Sequence, residues 1–156
     1  MTRAGFLVIG LVILVAAATA GAKQTARWKV VCNDDDTTAA SRCFPSFFAE
    51  GKAGGNGLGI AVQRLQGSHE IQVTSSGEAY SRAEINVQSD TTIVTDYCYG
   101  TYCVFVQADE LVAQFRKGTR ADIRLYNGLG KASVKERVSL QGFTAAHENY
   151  LSQIGE

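Results

Sequence analysis

Six segments of this chain alternate apolar and polar residues with a period of two, and that period constrains the fold more than any other feature. Trp28, Val30 and Cys32 alternate with Arg27, Lys29 and Val31. The same pattern recurs at Leu58-Ile60-Val62, Ile71-Val73, Ala83-Ile85-Val87 and Ala121-Ile123-Leu125. It returns at Val134, Val138 and Leu140, with Glu136 intruding on the apolar face. Successive side chains of a strand point to opposite faces, so each segment presents one face to a core and one to water, as in an antiparallel sheet. Asn127-Gly128-Leu129-Gly130 separates two of these runs and reads as a hairpin turn. The one proline, Pro45, suits a strand edge or a strand start.

Helical signals are confined to two short stretches. Asp109 and Glu110 open one that runs to Arg116-Lys117 and closes at Gly118, the polarity and C′ glycine of a capped helix. Thr144 is placed to cap a second over Ala145 to Gln153. Many short strands with two small helices predict a mainly β protein, a β-sandwich, in one domain over residues 23–156.

Residues 1–22 stand apart from that domain. Arg3 precedes an apolar run from Phe6 to Ala18, and Ala18-Thr19-Ala20 fits a signal-peptidase site, with Ala20-Gly21-Ala22 a second. The expectation is a cleaved secretory signal, the rival an uncleaved membrane anchor, since Gly5 to Ala22 carries no charge over about the length that spans a bilayer. Either way the domain lies outside the cytoplasm, in the periplasm, the envelope or the medium. Four cysteines in an exported chain imply two disulfides. Cys32–Cys43 and Cys98–Cys103 are the favoured pairs because each brackets a turn-like segment, and a crossed pairing stays open.

Charge excludes some partners. The chain has 15 Lys+Arg against 15 Asp+Glu, and the leader carries only Arg3 of these. A near-neutral domain has no electrostatic footprint for nucleic acid or anionic lipid. Asp34-Asp35-Asp36, the densest run of charge, lacks a calcium-loop spacing and reads as a solvated loop. Gly51 to Gly59 reads as a mobile loop without the Gly-Lys-Ser/Thr ending of a phosphate cradle.

The inventory for catalysis is thin. His69 and His147 are far apart in sequence, no serine sits in a nucleophile elbow, and no HExxH motif occurs. His147, followed by Glu148, reads as part of a solvated helix face. In "YCYGTYC", residues 97–103, Cys98 and Cys103 lack the co-ligands of a zinc site. They also lack the two-residue spacing at a helix N-terminus that thioredoxin-like chemistry uses. They read as the staple of a tight turn with Gly100 at its centre. Tyr97, Tyr99 and Tyr102 either pack over that staple or form a recognition surface, a role to which tyrosine is suited.

"WKVVC", a second cysteine eleven positions on, the late "CYGTYC" pair, "ADELVAQFRKG" and the closing "SLQGFTAA" together resemble the invasion-associated locus B family of exported bacterial proteins. Ser139 to Ala146 is the most specific match, and the resemblance spans about 28 to 150. Between residues 50 and 97 the chain lacks the proline-containing stretch usual in the family. The resemblance implies an immunoglobulin-like antiparallel β-sandwich held by disulfides in the periplasm or at the cell surface, with no catalytic residue, metal or cofactor. The function expected is therefore non-enzymatic contact with a protein partner of the envelope or of a host, through Tyr97, Tyr99 and Tyr102 together with the loop 51–59. The alternatives are a periplasmic thiol-redox protein using Cys98 and Cys103, and an accessory subunit of a membrane complex held by an uncleaved N-terminal helix.

Overall fold

The structure is a computed structural model and describes residues 27–33, 42–49, 57–88 and 91–155. The leader at 1–22, the Asp34–Asp36 run and the 51–56 part of the glycine-rich segment lie outside these residues. Among the described residues ten strands and two helices follow one another: β1 (Lys29–Asn33), β2 (Arg42–Ala49), β3 (Leu58–Leu65), β4 (Ser68–Ser75), β5 (Tyr80–Val87), β6 (Thr92–Thr95), β7 (Cys98–Tyr99), β8 (Tyr102–Phe105), α1 (Asp109–Lys117), β9 (Arg120–Asn127), β10 (Ala132–Ser139) and α2 (Phe143–Gln153). The strands form two antiparallel sheets, a six-stranded one in the order β1-β2-β3-β4-β8-β7 and a four-stranded one in the order β10-β9-β5-β6.

The alternating residues of both sheets meet in one core. Ile60, Ile71, Val73 and Phe105 come from the larger sheet and Ala83, Ile85, Ile123 and Leu125 from the smaller. The larger sheet is two strands wider, and the helices cover the surplus. The small sheet faces β7 and β8 through β5 and β6, while α2 lies on β1 and β2 and α1 on β4. Trp28 just before β1, Phe47 of β2, Phe115 of α1 and Phe143 of α2 close that end as a cluster of tilted and edge-on rings.

Short turns set the register. Gln66 and Gly67 both have positive φ, 53° and 84°, between the paired Leu65 and Ser68, which is the two-residue turn of type I′ that matches strand twist. At the predicted Asn127–Gly130 turn the Asn127 side-chain oxygen accepts from the backbone N–H of Leu129 and Lys131, and Gly130 adopts φ 72°.

Three sequence expectations need correction. Pro45 is neither at an edge nor at a strand start: it lies in the middle of β2, between β1 and β3. The β2–β3 ladder stops at Ser46 opposite Ala61, one residue short of a proline that has no N–H to extend it. Thr144 does not cap α2. The helix begins at Phe143 after Gly142 in the left-handed region (φ 86°), and the Thr144 hydroxyl donates to the Arg116 carbonyl. Gly118 follows α1 as expected but is extended (φ −81°, ψ 161°), so its lack of a side chain answers to crowding rather than to a left-handed cap. A Cβ there would stand 2.7 Å from Val87 Cγ1 and 3.0 Å from Leu140 Cδ1. Gly118→Ala is therefore expected to cost about 1–3 kcal/mol by overpacking, read as a lower urea midpoint. A neutral result would mean that Val87 and Leu140 can give way.

Candidate functional site

The Cys98–Cys103 disulfide forms between residues directly opposite each other on β7 and β8. The neighbouring pair is hydrogen-bonded, Val104 N–H to the Tyr97 carbonyl at 2.8 Å, so the cysteines occupy the closer, non-hydrogen-bonded position, with Cα atoms 4.0 Å apart. Gly100 and Thr101 make the turn. Only Gly100 has positive φ (60°), the II′ geometry that calls for glycine at the first central position. The tip is held on both sides. The Gly100 carbonyl accepts from Tyr80 N–H of the small sheet at 2.8 Å, and the Thr101 carbonyl from Ser75 N–H of β4 at 3.1 Å.

Alternation then separates staple from tyrosines. Cys103 is fully buried and Cys98 packs against the core, on the inner face. Tyr99 and Tyr102, one residue out of phase, stand on the outer face with their rings 5.7 Å apart. They do not cover the disulfide. Neither sulfur lies at a helix N-terminus and one is inaccessible, the opposite of the exposed, dipole-activated thiol that exchange chemistry uses. Tyr97 does not join the other two: it lines a small pocket of about 210 Å³ at the open edge of the sandwich, with Ile93, Val94 and Leu111. Cys32 and Cys43 pair in the same cross-strand manner on β1 and β2.

Register extends the tyrosine pair into a row. Phe48, Gly59, Thr74, Tyr102 and Tyr99 are successive partners across β2, β3, β4, β8 and β7, so all five share the outer face. Phe48 and Tyr99 are each 58% exposed. Gly59 keeps the middle of the row low, since a Cβ there would meet Thr74 Cγ2 at 2.8 Å. The result is an open trough of about 390 Å³ lined by Phe48, Gly57, Gly59, Thr74, Ser75, Ser76 and Thr101, without a charged residue. The described end of the glycine-rich segment thus lies beside the tip, although Gly59 belongs to a strand and is buried.

A second cluster brings together residues the sequence kept apart. The His69 ring of β4 donates from Nδ1 to Asp109 Oδ1 of α1 at 2.6 Å, and its Nε2 lies 2.9 Å from His147 Nε2 of α2. Asp109 also accepts from the His69 backbone N–H and from the Ser68 hydroxyl. The hydrogen bond from His69, ahead of that from Ser68, holds the Asp109 carboxyl below the usual carboxylate value. His147 is not on a solvated face. It is 2% exposed, stacked on Phe143 with ring centroids 5.5 Å apart, and burial first and then the neighbouring His69 push its pKa down to about 4. An Asp–His pair also begins a catalytic triad, but the nearby Ser68 hydroxyl is bonded to Asp109 rather than to the imidazole.

The family model for the invasion associated locus B (IalB) protein matches residues 28–150. The chain belongs to the IalB family. The crystal structure of invasion associated protein B from Bartonella henselae has the same fold, with a TM-score of 0.63 at 18% identity over 86% of this chain and 98% of that one. No curated protein matches the chain.

The IalB match begins at Trp28, in the ring cluster, and ends at Tyr150, whose ring lies 6.3 Å from that of His147. Trp28 donates from its indole N–H to the Ser139 carbonyl, and the Tyr150 hydroxyl accepts from Arg64 N–H. The "SLQGFTAA" stretch that carries the resemblance therefore holds both the Trp28 acceptor and Phe143, the centre of the ring cluster.

Proposed function

We propose that this IalB-family chain is an exported, disulfide-stabilised envelope protein without catalytic activity, which works by binding a protein partner of the envelope or of a host surface. The observation that carries the reading is the row Phe48–Gly59–Thr74–Tyr102–Tyr99, an uncharged strip with an exposed aromatic residue at each end on the outer face of the larger sheet. Rigid aromatic side chains give contact area at little entropic cost, and interface cores are depleted of charge. The disulfide beneath the tip and the bonds from Tyr80 and Ser75 fix Tyr99 and Tyr102 in advance of binding.

Capture from envelope extracts with the mature protein tests the surface. The triple variant Phe48→Ser/Tyr99→Ser/Tyr102→Ser is expected to lose at least tenfold in retained partner while its circular dichroism and melting temperature stay near wild type. Undiminished capture by a folded triple variant would place the contact elsewhere. N-terminal sequencing of protein from the envelope checks export separately, with a start near Gly21 or Lys23 expected.

A further inference from the structure

Asp109, His69 and His147 take no part in that surface, yet they join three elements in a line that runs from an exposed carboxylate to two buried imidazoles. We infer that the histidine pair is an acid-sensitive latch: docked, it has places for only two ring protons, so acidification releases helix α2 from the sandwich.

The inference follows from counting places for protons. Asp109 accepts from His69 Nδ1, so that nitrogen carries the first proton. The two Nε2 atoms lie 2.9 Å apart, a hydrogen-bond distance with room for one proton between them, and that is the second. Both rings are then neutral. A third proton has two places to go. It can enter the gap between the Nε2 atoms and set two N–H groups against each other, or it can sit on His147 Nδ1, which is buried with no hydrogen-bond partner among the described residues. Either choice leaves a buried donor unsatisfied. The count holds whichever ring is formally charged.

The surroundings do not relieve this. From β3 the Arg64 charge disfavours a charged His147, as does Arg116 from α1. Glu148 of α2 favours it, but its carboxylate is engaged by Arg116 at 3.1 Å. Asp109 is committed to His69 and Ser68, and the Tyr150 hydroxyl to Arg64 N–H. A released α2 frees His147 to titrate normally. A histidine whose docked pKa lies below its free value contributes stability that is complete above about 6.5 and is lost as pH falls from there towards about 4. The docked-to-released ratio thus falls about tenfold per pH unit in that window, or about 30-fold by pH 5. The helix can leave without dismantling either sheet, because it lies on β1 and β2 and is hydrogen-bonded into neither sheet.

Hydrogen exchange on the mature protein at pH 7.5 and pH 5.0, corrected for intrinsic rates, reads this directly. Amide protection over 143–153 is expected to fall about 30-fold while β3, β4, β5 and β9 keep theirs. Unchanged protection of α2, or a parallel fall in helix and sheets, would overturn the latch. His147→Phe keeps the stack on Phe143 without a titrating nitrogen, and its α2 protection is expected not to respond to pH. Nitrogen-detected histidine spectra of the wild type give the answer even if that variant fails to fold. They should show His69 protonated at Nδ1 and His147 at Nε2 at pH 7.5. A docked His147 that takes up a proton near pH 6.5 would refute the proposal.

Discussion

Phe143→Ala is expected to lower the free energy of unfolding by about 3–5 kcal/mol, near the top of the range for an aromatic truncation. Phe143 is completely buried and meets three rings, Trp28 edge-on at 4.8 Å, Phe115 edge-on at 5.3 Å and His147 stacked at 5.5 Å. Such pairs add about 0.5–1.5 kcal/mol each beyond burial. The cavity would be hard to close, because each neighbour is tied elsewhere: Trp28 to the Ser139 carbonyl, His147 to His69, and Phe115 to the short helix α1. A domain of this size has about 5–15 kcal/mol in hand, so this one change removes a large part of it. Trp28 is the chain's only tryptophan, which makes its fluorescence in a urea titration both the stability readout and a local probe of the emptied site. A loss below about 2 kcal/mol would mean that α2 collapses onto Trp28 without strain, against the tethering described.

Four of the strands were legible almost residue by residue, because β3, β4, β5 and β9 bury one face and wet the other along most of their length. The sheet to which each belongs was not legible. The chain moves from the larger sheet to the smaller between β4 and β5 and returns between β6 and β7, and a period of two is identical in both. β2 was missed because Cys43-Phe44-Pro45-Ser46-Phe47-Phe48 does not alternate: it pairs on both sides and keeps Phe48 on the outer face. The Gln66-Gly67 turn carries a weaker signal than Asn127-Gly128, a single glycine after a glutamine between two alternating runs.

The site shows the same division. The two disulfides join the pairs that local spacing favours, each across a single hairpin or strand pair, where spacing alone left a crossed pairing open. The separation of Tyr99 and Tyr102 from the staple was implicit in strand parity, whereas the divergence of Tyr97 was not, because it lies in the crossing between sheets just before β7. His147 was misread from its neighbour Glu148. Phe143, Ala146, His147 and Tyr150 recur at the 3-to-4-residue spacing of one helix face, and that face is the buried one. What no pattern could supply was His69 as its partner, which depends on how α1 and β4 are packed.

Trp28→Ala is expected to cost about 3–5 kcal/mol, and Trp28→Phe about 1–2 kcal/mol, a difference that separates two roles of one side chain. The ring fills the space among Phe47, Phe115 and Phe143 at centroid distances of 5.5, 6.0 and 4.8 Å. The indole N–H satisfies the Ser139 carbonyl at 3.0 Å, joining the entry to β1 with the end of β10 across 111 positions of sequence. Phenylalanine keeps most of the first role and removes the second, leaving a carbonyl whose partner is gone. If both variants lose the same amount in urea unfolding followed by circular dichroism, the hydrogen bond dominates and the ring cluster is incidental. If phenylalanine is neutral, the cluster alone holds the helices over β1 and β2. The intermediate value is expected because β1, at the edge of the larger sheet, pairs among the described residues with β2 alone and depends on both kinds of contact.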